Sequence, residues 1–378
     1  MSNLKYQLSN FFKHKCAVWE FTLKCNSNCI HCGSSAGKSR LDELNTEEAL
    51  MLVKDLKSCG YDGIALMGGE PFIRDDWYEV AQEIKKNKMK LTIVSNGLEI
   101  KEQIQKLKIL QIDCVSLSLD GGLPKTHDYI RGVRGAYDKV LGSIKLLQKE
   151  NIPISVITTV SKINFKELNL IRDWLLNKKI AWQIQIAIPI GRFPRDLVIS
   201  RKQFYGVAMF IALNLKKYSI KELPLMGAHC FGHFSMILPE LGLEPWIGCQ
   251  AGRSVLGIQS NGNIKGCLIL TDDSIEGNVR TTNLSDIINS SFNPKFCQYS
   301  HKINLQDYCY TCKMFKKCKG GCLGTRLALN SSNKPYCLRA IEKKLFKNES
   351  LPFRWKIDSK ISKYKNLYQR VLLKENWR

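Results

Sequence analysis

Short apolar runs recur along residues 17 to 190, and each is followed by a stretch whose apolar positions repeat every three or four residues. The first pattern is that of strands and the second that of amphipathic helices. Strands are expected at Ala17–Leu23, Asp62–Met67, Lys90–Ser95, Cys114–Leu119, Ile152–Thr159 and Trp182–Ile188. Between them lie helical patterns such as Thr46–Ser58, opened by a capping box of Thr46 with Glu48 or its neighbour, and Arg74–Lys86. Six β/α units in series predict an α/β fold, a parallel sheet closed or partly closed and best described as a partial (β/α)6 TIM-like barrel, with its chemistry at the C-terminal strand ends.

After Gly191-Arg192-Phe193-Pro194 the pattern changes to one helix, about Ser200–Lys217, and then to a linker rich in Gly, Pro and His. From Cys249 onward the chain is cysteine-dense, with a Ser260-Asn261-Gly262-Asn263 turn between two short strands, Val255–Gln259 and Ile264–Leu268. The expected division is a barrel over 1–195, a helical linker over 196–244, a small cysteine-rich domain over 245–340 and a basic helical tail over 341–378. The last forty residues hold 12 basic and 4 acidic side chains.

Composition narrows the chemistry. With 44% apolar and 24% charged residues the chain is globular, and apolar runs such as Val207 to Leu213 fall short of the roughly 18 residues of a membrane span. The basic N-terminus has no apolar secretory segment, so a cytoplasmic location is expected. Fifteen cysteines in a chain that is not exported point to metal or redox chemistry rather than disulfides. Lys and Arg number 57 against 34 Asp and Glu, a net charge of +23, which suits an acidic partner and equally a generally solvated basic surface.

The first strand runs into Cys25-Asn26-Ser27-Asn28-Cys29-Ile30-His31-Cys32. This C-x3-C-x2-C spacing folds three thiolates around one face of a cubic [4Fe-4S] cluster and leaves one iron open to another ligand. A structural zinc site would need a fourth protein ligand, and His31 sits awkwardly between two of the cysteines. Together with Met67-Gly68-Gly69-Glu70-Pro71 at the end of the second strand, the loop resembles that of the radical S-adenosylmethionine (SAM) superfamily, over about residues 15 to 195. The resemblance implies that the open iron chelates SAM and that an electron from the cluster cleaves it to a 5′-deoxyadenosyl radical. It also implies that Gly68, Gly69 and Glu70 meet the amino end of the methionine, and that Ser95, Asn96, Ser118 and Asp120 offer polar groups to the ribose and methionine moieties. Arg131 matches an arginine used on the carboxylate, and His31 the position whose backbone faces adenine. The plain alternatives are a strand-end turn for the glycines, simple caps for Ser and Asp, and a surface salt bridge for Arg131.

The C-terminal cysteines fall as Cys249-x17-Cys267, with Gly262 five residues before Cys267, then Cys309-x2-Cys312-x5-Cys318-x3-Cys322, and Cys337. Over about residues 245 to 340 this order resembles the SPASM domain of enzymes that mature peptides and proteins. The resemblance implies two auxiliary [4Fe-4S] clusters, three clusters in all, one held by Cys249, Cys267 and Cys322 and the other by Cys309, Cys312, Cys318 and Cys337. The first has either an open iron or a further thiol, for which Cys230 in His229-Cys230-Phe231-Gly232-His233 is the nearest candidate. Cys230 also has two other readings, a hydrogen-atom donor or a plain core residue. Cys16, Cys59, Cys114 and Cys297 read as small buried apolar residues. The rival reading of the array is a pair of zinc ribbons on a nucleic-acid-binding protein.

The resemblance therefore implies a radical SAM/SPASM oxidoreductase of the peptide-maturase kind, acting on ribosomally made peptides or proteins by cross-linking, epimerisation or oxidation. A radical dehydrogenase of a small molecule is the alternative within the fold, and a non-enzymatic cluster protein that binds nucleic acid the alternative outside it. Leu268 follows Cys267 where sulfatase-maturating relatives carry Asp, which makes formylglycine formation less favoured. Only about 15 residues precede the first strand, so a separate peptide-recognition protein or the enzyme's own groove is expected to recruit a precursor, whose leader suits the basic surface if acidic. An electron donor such as flavodoxin or ferredoxin is implied too, and no membrane or nucleic-acid partner.

Overall fold

A computed structural model describes residues 15–228, 231, 235–238, 241, 249–290, 307–329 and 336–345. Strands β1 (Cys16–Thr22), β2 (Gly63–Gly68), β3 (Lys90–Ser95), β4 (Cys114–Ser118), β5 (Ile154–Val160) and β6 (Ala181–Ile186) lie side by side in chain order, every pair parallel. The helices between them are α1 (Thr46–Ser58), α2 (Trp77–Lys86), α3 (Ile100–Leu110), α4 (Pro124–Arg131), α5 (Ala136–Lys149) and α6 (Leu168–Leu175). The expected α/β architecture is present.

Strand alternation explains how the layers divide. Ala17, Trp19 and Phe21 of β1, Ile64 and Leu66 of β2, Leu91 and Ile93 of β3 and Trp182 and Ile184 of β6 are enclosed in one core with helix residues such as Leu52, Val80, Leu107 and Ile144. Each large apolar side chain buried this way contributes about 1.5–3 kcal/mol. The alternate positions face inward and differ in kind. Met67, Thr92, Val94, Ser118, Thr159, Gln183 and Gln185 are partly exposed, so the inner face of the sheet stays open to a ligand.

The sheet is wider than the six strands expected. A short β7 (Leu225–Gly227), in the stretch read as linker, adds parallel to β6 after the long helix α7 (Arg201–Lys217). At the other edge β8 (Val255–Ile258) pairs parallel with β1, followed by antiparallel β9 (Asn263–Lys265) and β10 (Ile275–Asn278). The cysteine-rich region thus continues the barrel sheet. Both predicted hairpin strands are shorter than expected, and Cys267 falls in the loop after β9.

Two local expectations are corrected. The cap of α1 is Asn45, whose Oδ1 accepts the Glu48 N–H at 2.9 Å while its own N–H donates to Glu48 Oε2 at 2.8 Å. A capping box spans three residues, a spacing that Asn45 has to Glu48 and Thr46 lacks; Thr46 instead donates to Asp76 at 2.9 Å. The helix expected from Arg74 begins at Trp77. Arg74 is extended, with its guanidinium on Asp76 at 2.6 Å, on the Phe21 and Leu44 carbonyls at 2.7 and 2.8 Å, and over the Phe21 ring.

The segment after the cysteine loop is held between barrel and hairpin. Arg280 forms a bidentate pair with Glu48 at 2.6 and 2.7 Å and donates to the Asp42 and Glu43 carbonyls. Arg40 bridges Glu20 and Ser260, and Leu44 N–H donates to the Ser260 carbonyl. Beyond these lie α8 (Leu284–Ser290), α9 (Asp307–Tyr310), α10 (Phe315–Cys318), α11 (Leu323–Leu329) and α12 (Leu338–Leu345). Among the described residues no helix is long and apolar enough to cross a membrane. Most of the basic tail lies outside the described residues.

Candidate functional site

The three-cysteine loop leaves β1 at the carboxyl edge of the sheet. Its stem is closed by backbone hydrogen bonds from Cys25 to Gly37 and from Gly37 to Leu23, at 2.9 and 2.8 Å. Glu43, which sequence reasoning missed, holds the same stem by accepting from the Thr22 hydroxyl and the Leu23 N–H. Cys25, Cys29 and Cys32 are all free thiols. Burial pushes the Cys25 thiol up to about 11, and it raises Cys29 as well, against the opposing charges of Arg131 and Arg192. Such thiols become thiolates only with a cation beside them. The Ala36 N–H points at Cys32 Sγ from 3.3 Å. Three unpaired thiols on one short loop, with a backbone donor already aimed at sulfur, fit an iron–sulfur cluster. No group of three His, Cys, Asp or Glu among the described residues could hold a metal ion; a cubic cluster distributes its ligands over several irons instead.

The second strand end packs under this loop. Gly68 has φ +122°, and a Cβ at Gly69 would lie 2.1 Å from the Lys24 carbonyl oxygen, so the Gly69 backbone touches the loop stem as no other residue could. Glu70 is fully buried. It accepts from the Ser95 hydroxyl at 2.9 Å, the Asn96 N–H at 2.7 Å and the Phe72 N–H at 3.3 Å. Asn96 in turn donates to Asn26 Oδ1 at 2.7 Å and Ser27 Oγ at 3.1 Å, inside the cysteine loop. Glu70, Ser95 and Asn96 therefore brace the loop through one another.

Burial raises the Glu70 carboxyl to about 7, against its hydrogen bonds. A folded pKa above the unfolded value stabilises the fold most below the unfolded pKa, about 4.3, and the contribution is lost as pH rises through about 7. The stability margin of the metal-free wild type over Glu70→Gln is expected to be largest near pH 5 and to narrow by pH 8, read as urea midpoints. An identical margin at both pH values would show that Glu70 does not titrate there.

The fourth strand end forms the other support. Asp120, 1% exposed, accepts from His31 Nε2 at 2.9 Å, Arg131 Nη1 at 3.0 Å and the Thr159 N–H at 2.7 Å. Burial alone would raise its carboxyl, but His31 and Arg131 hold it well below the usual carboxylate range. A carboxylate only accepts, so His31 Nε2 carries the hydrogen. The Arg131 guanidinium is buried, and although burial opposes its charge, Cys29, Asp120 and Cys25 keep it firmly protonated. The Arg131 and Ile130 carbonyls also accept from Asn28 and Ile30 of the loop, at 3.2 and 2.9 Å. Arg131 is thus no surface salt bridge. His127 accepts the Asp120 N–H on Nδ1, and burial drops its pKa to about 4, so it stays neutral. Ser118 lies nearby on the inner face, partly exposed.

The second array separates into two groups. Cys249 and Cys267 border a small apolar cluster of Ala251, Leu270 and Leu323, and Leu323 adjoins Cys322. Burial raises the Cys267 thiol to about 11, and Cys322 adds to it. Burial likewise raises Cys337 to about 12, with Cys318, Cys309 and Cys312 adding to it. Cys267 thus lies near Cys322 and Cys249, and Cys337 near Cys309, Cys312 and Cys318, while the buried Arg326 adjoins Cys249 and Cys322 of the first set and Cys309 and Cys318 of the second. Cys230, with His229 and His233, and Cys297 lie outside the described residues. Cys16, Cys59 and Cys114 are partly buried thiols whose pKa burial raises.

Residues 19–175 match the Radical SAM superfamily, and residues 249–313 match the SPASM iron–sulfur cluster-binding domain. The AdoMet-dependent heme synthase of Methanosarcina barkeri (strain Fusaro / DSM 804) is 27% identical over 339 residues, 85% of this chain and 95% of that protein. The mycofactocin maturase MftC of Mycobacterium tuberculosis (strain ATCC 25618 / H37Rv) is 24% identical over 329 residues, 82% of this chain and 78% of that protein. Among solved structures, Streptococcus suis SuiB bound to S-adenosylmethionine superposes with a TM-score of 0.68 at 18% identity, covering 90% of this chain and 82% of SuiB.

Proposed function

The chain is a radical SAM protein with a C-terminal SPASM domain, and on that premise we propose that it abstracts hydrogen from a peptide or protein substrate lodged against the inner face of the barrel. One observation carries the proposal: the three-thiol loop, the Glu70–Asn96 brace and the Asp120–Arg131 pair converge on one edge of the sheet, above an inner face whose open positions Thr92, Ser118, Thr159, Gln183 and Gln185 are uncharged and whose β1 edge carries the Glu20–Arg40 pair. Cys25, Cys29 and Cys32 would hold a [4Fe-4S] cluster, which when reduced would supply the electron for SAM cleavage. The chain does the rest. Gly68 and Gly69 let the backbone approach the loop, Glu70 and Asn96 fix the loop from below, and Asp120 orients Arg131 for a carboxylate and His31 beside it. Ser118 offers its hydroxyl on the inner face. Cys249, Cys267 and Cys322, and Cys309, Cys312, Cys318 and Cys337, would hold the auxiliary clusters, which would supply electron transfer or a binding iron for the substrate.

The substrate class rests on the inner face. Thr92, Ser118, Thr159, Gln183 and Gln185 are hydroxyl and amide side chains, suited to peptide groups, and Gln185 already donates to Thr159 at 2.9 Å. MftC, a maturase by name, supports this reading. The second reading is a heme-related substrate, favoured by the relative whose length the chain spans almost completely. The carboxylates of such a molecule, buried here, would call for cations that these positions do not carry. Recruitment by a separate peptide-recognition protein, attraction of an acidic leader by the basic surface and reduction by a flavodoxin or ferredoxin belong to the same proposal.

Anaerobically reconstituted protein is expected to carry about twelve irons, four for each of three clusters, and to form 5′-deoxyadenosine when reduced with SAM. Protein that binds about two zincs, shows no charge-transfer absorbance and leaves SAM intact would overturn the proposal. Hydrogen–deuterium exchange with a candidate precursor peptide or an iron porphyrin then separates the substrate readings, by which of the two protects β5 and β6.

A further inference from the structure

The loop has a third support, at the end of β6, that the proposed function does not use. Gly191, at φ +56°, sits so close that a Cβ there would lie 2.3 Å from the Cys32 carbonyl oxygen and 2.4 Å from that of Gly33. Arg192 follows. Its backbone N–H donates to the Cys32 carbonyl at 3.0 Å, its Nη1 to the Ala36 carbonyl at 2.6 Å and its Nε to the Cys29 carbonyl at 3.3 Å. One side chain therefore spans the loop from its second cysteine to the residue four beyond its third, from a site 163 positions along the chain from Cys29.

Two features of Arg192 go beyond holding the loop. Its Nη2 is buried and has no hydrogen-bond partner among the described residues, and a buried guanidinium N–H left without an acceptor is costly. Its partners are neutral carbonyls, so no carboxylate among the contacts described here offsets its charge. Arg131 stands in contrast, since its guanidinium is paired with Asp120.

We propose that Arg192 is a positioning residue that fixes the cysteine loop through its carbonyls and offers its Nη2–H and charge to the sulfur side of the cluster. One-electron reduction adds a negative charge to a cluster, so a half-buried cation on the loop, with a buried N–H to spare, favours the reduced form and raises the potential. Arg192 thereby makes the cluster reducible by a biological donor. The inference rests on reading Cys25, Cys29 and Cys32 as cluster ligands.

The test uses the full chain, reconstituted anaerobically, as wild type, R192Q, R192K and the exposed control R195Q. Iron per chain is counted, and the paramagnetic signal that changes on adding SAM is titrated against potential. The midpoint of R192Q is expected to lie more negative than wild type, that of R192K between the two, and that of R195Q unchanged. An R192Q midpoint equal to wild type, with full iron, overturns the proposal. If R192Q fails to retain the loop's irons, R192K decides: a negative shift supports the proposal and an unchanged midpoint overturns it. A wild type with no SAM-responsive signal would instead remove the cluster reading itself.

Discussion

Replacing Cys25, Cys29 and Cys32 together by alanine is expected to abolish 5′-deoxyadenosine formation while leaving about eight irons bound. Both halves of the result follow from where the thiols lie. The loop backbone is held by protein groups, among them the Gly37 carbonyl, the Ile130 and Arg131 carbonyls and the Arg192 guanidinium, so its path does not depend on metal. Loss of three thiols therefore removes ligands without unfolding the strand end. The seven cysteines of the second array gather around α10, α11 and the loop after β9, a region joined to the barrel sheet by β8, which pairs with Cys16–Trp19 of β1 rather than with the cysteine loop. Iron analysis and chromatography of the SAM products read both outcomes. SAM cleavage at the wild-type rate would place the radical chemistry elsewhere.

Asp120→Asn is the second large effect, and here stability falls along with function. The carboxylate compensates a buried Arg131 and receives His31 and the Thr159 N–H, all with almost no access to water. Removing one charge of a buried pair costs about 3–5 kcal/mol, because the other stays desolvated and uncompensated. The expected result is a loss of that size in the urea stability of the metal-free protein at pH 7, and SAM affinity weakened by about tenfold or more, or about 1.4 kcal/mol. The pH dependence has a definite sign. The Asp120 carboxyl is depressed when folded, so its contribution is complete above the unfolded pKa, about 3.9, and is lost only as pH falls further. Titration of Asp120 itself therefore adds no pH dependence to the gap between pH 5 and 8, the range in which the Glu70 gap narrows. A variant within 1 kcal/mol of wild type at pH 7 would mean that Arg131 finds another partner.

How much of this was readable beforehand differs from residue to residue. Lys90–Ser95 was placed without error, and the parallel order of six strands followed from periodicity alone. Both are local or repetitive signals. The cap of α1 is Asn45 rather than Thr46, because a capping box needs a three-residue span to Glu48 and Asn45 lies just before the apolar pattern begins. As a sequence Glu70, Ser95 and Asn96 read as ligand contacts; the structure gives their polar atoms to one another and to Asn26 and Ser27.

The sequence alone determined the three-thiol loop, the glycines beneath it and the seven-cysteine array, because metal ligands on one loop must keep a fixed spacing and close backbone approach demands glycine. Tertiary structure decided which side chains hold that loop. Asp120 meets His31 across 89 residues, Arg192 meets Cys29 across 163, and Arg280 meets Glu48 across 232. The parallel pairing of β8 with β1, which makes barrel and cysteine-rich region one sheet, is of the same kind. No local pattern encodes such partners. A buried Asp or Arg is spelled like an exposed one, and only the packing of distant strands fixes which opposite charge or carbonyl satisfies it.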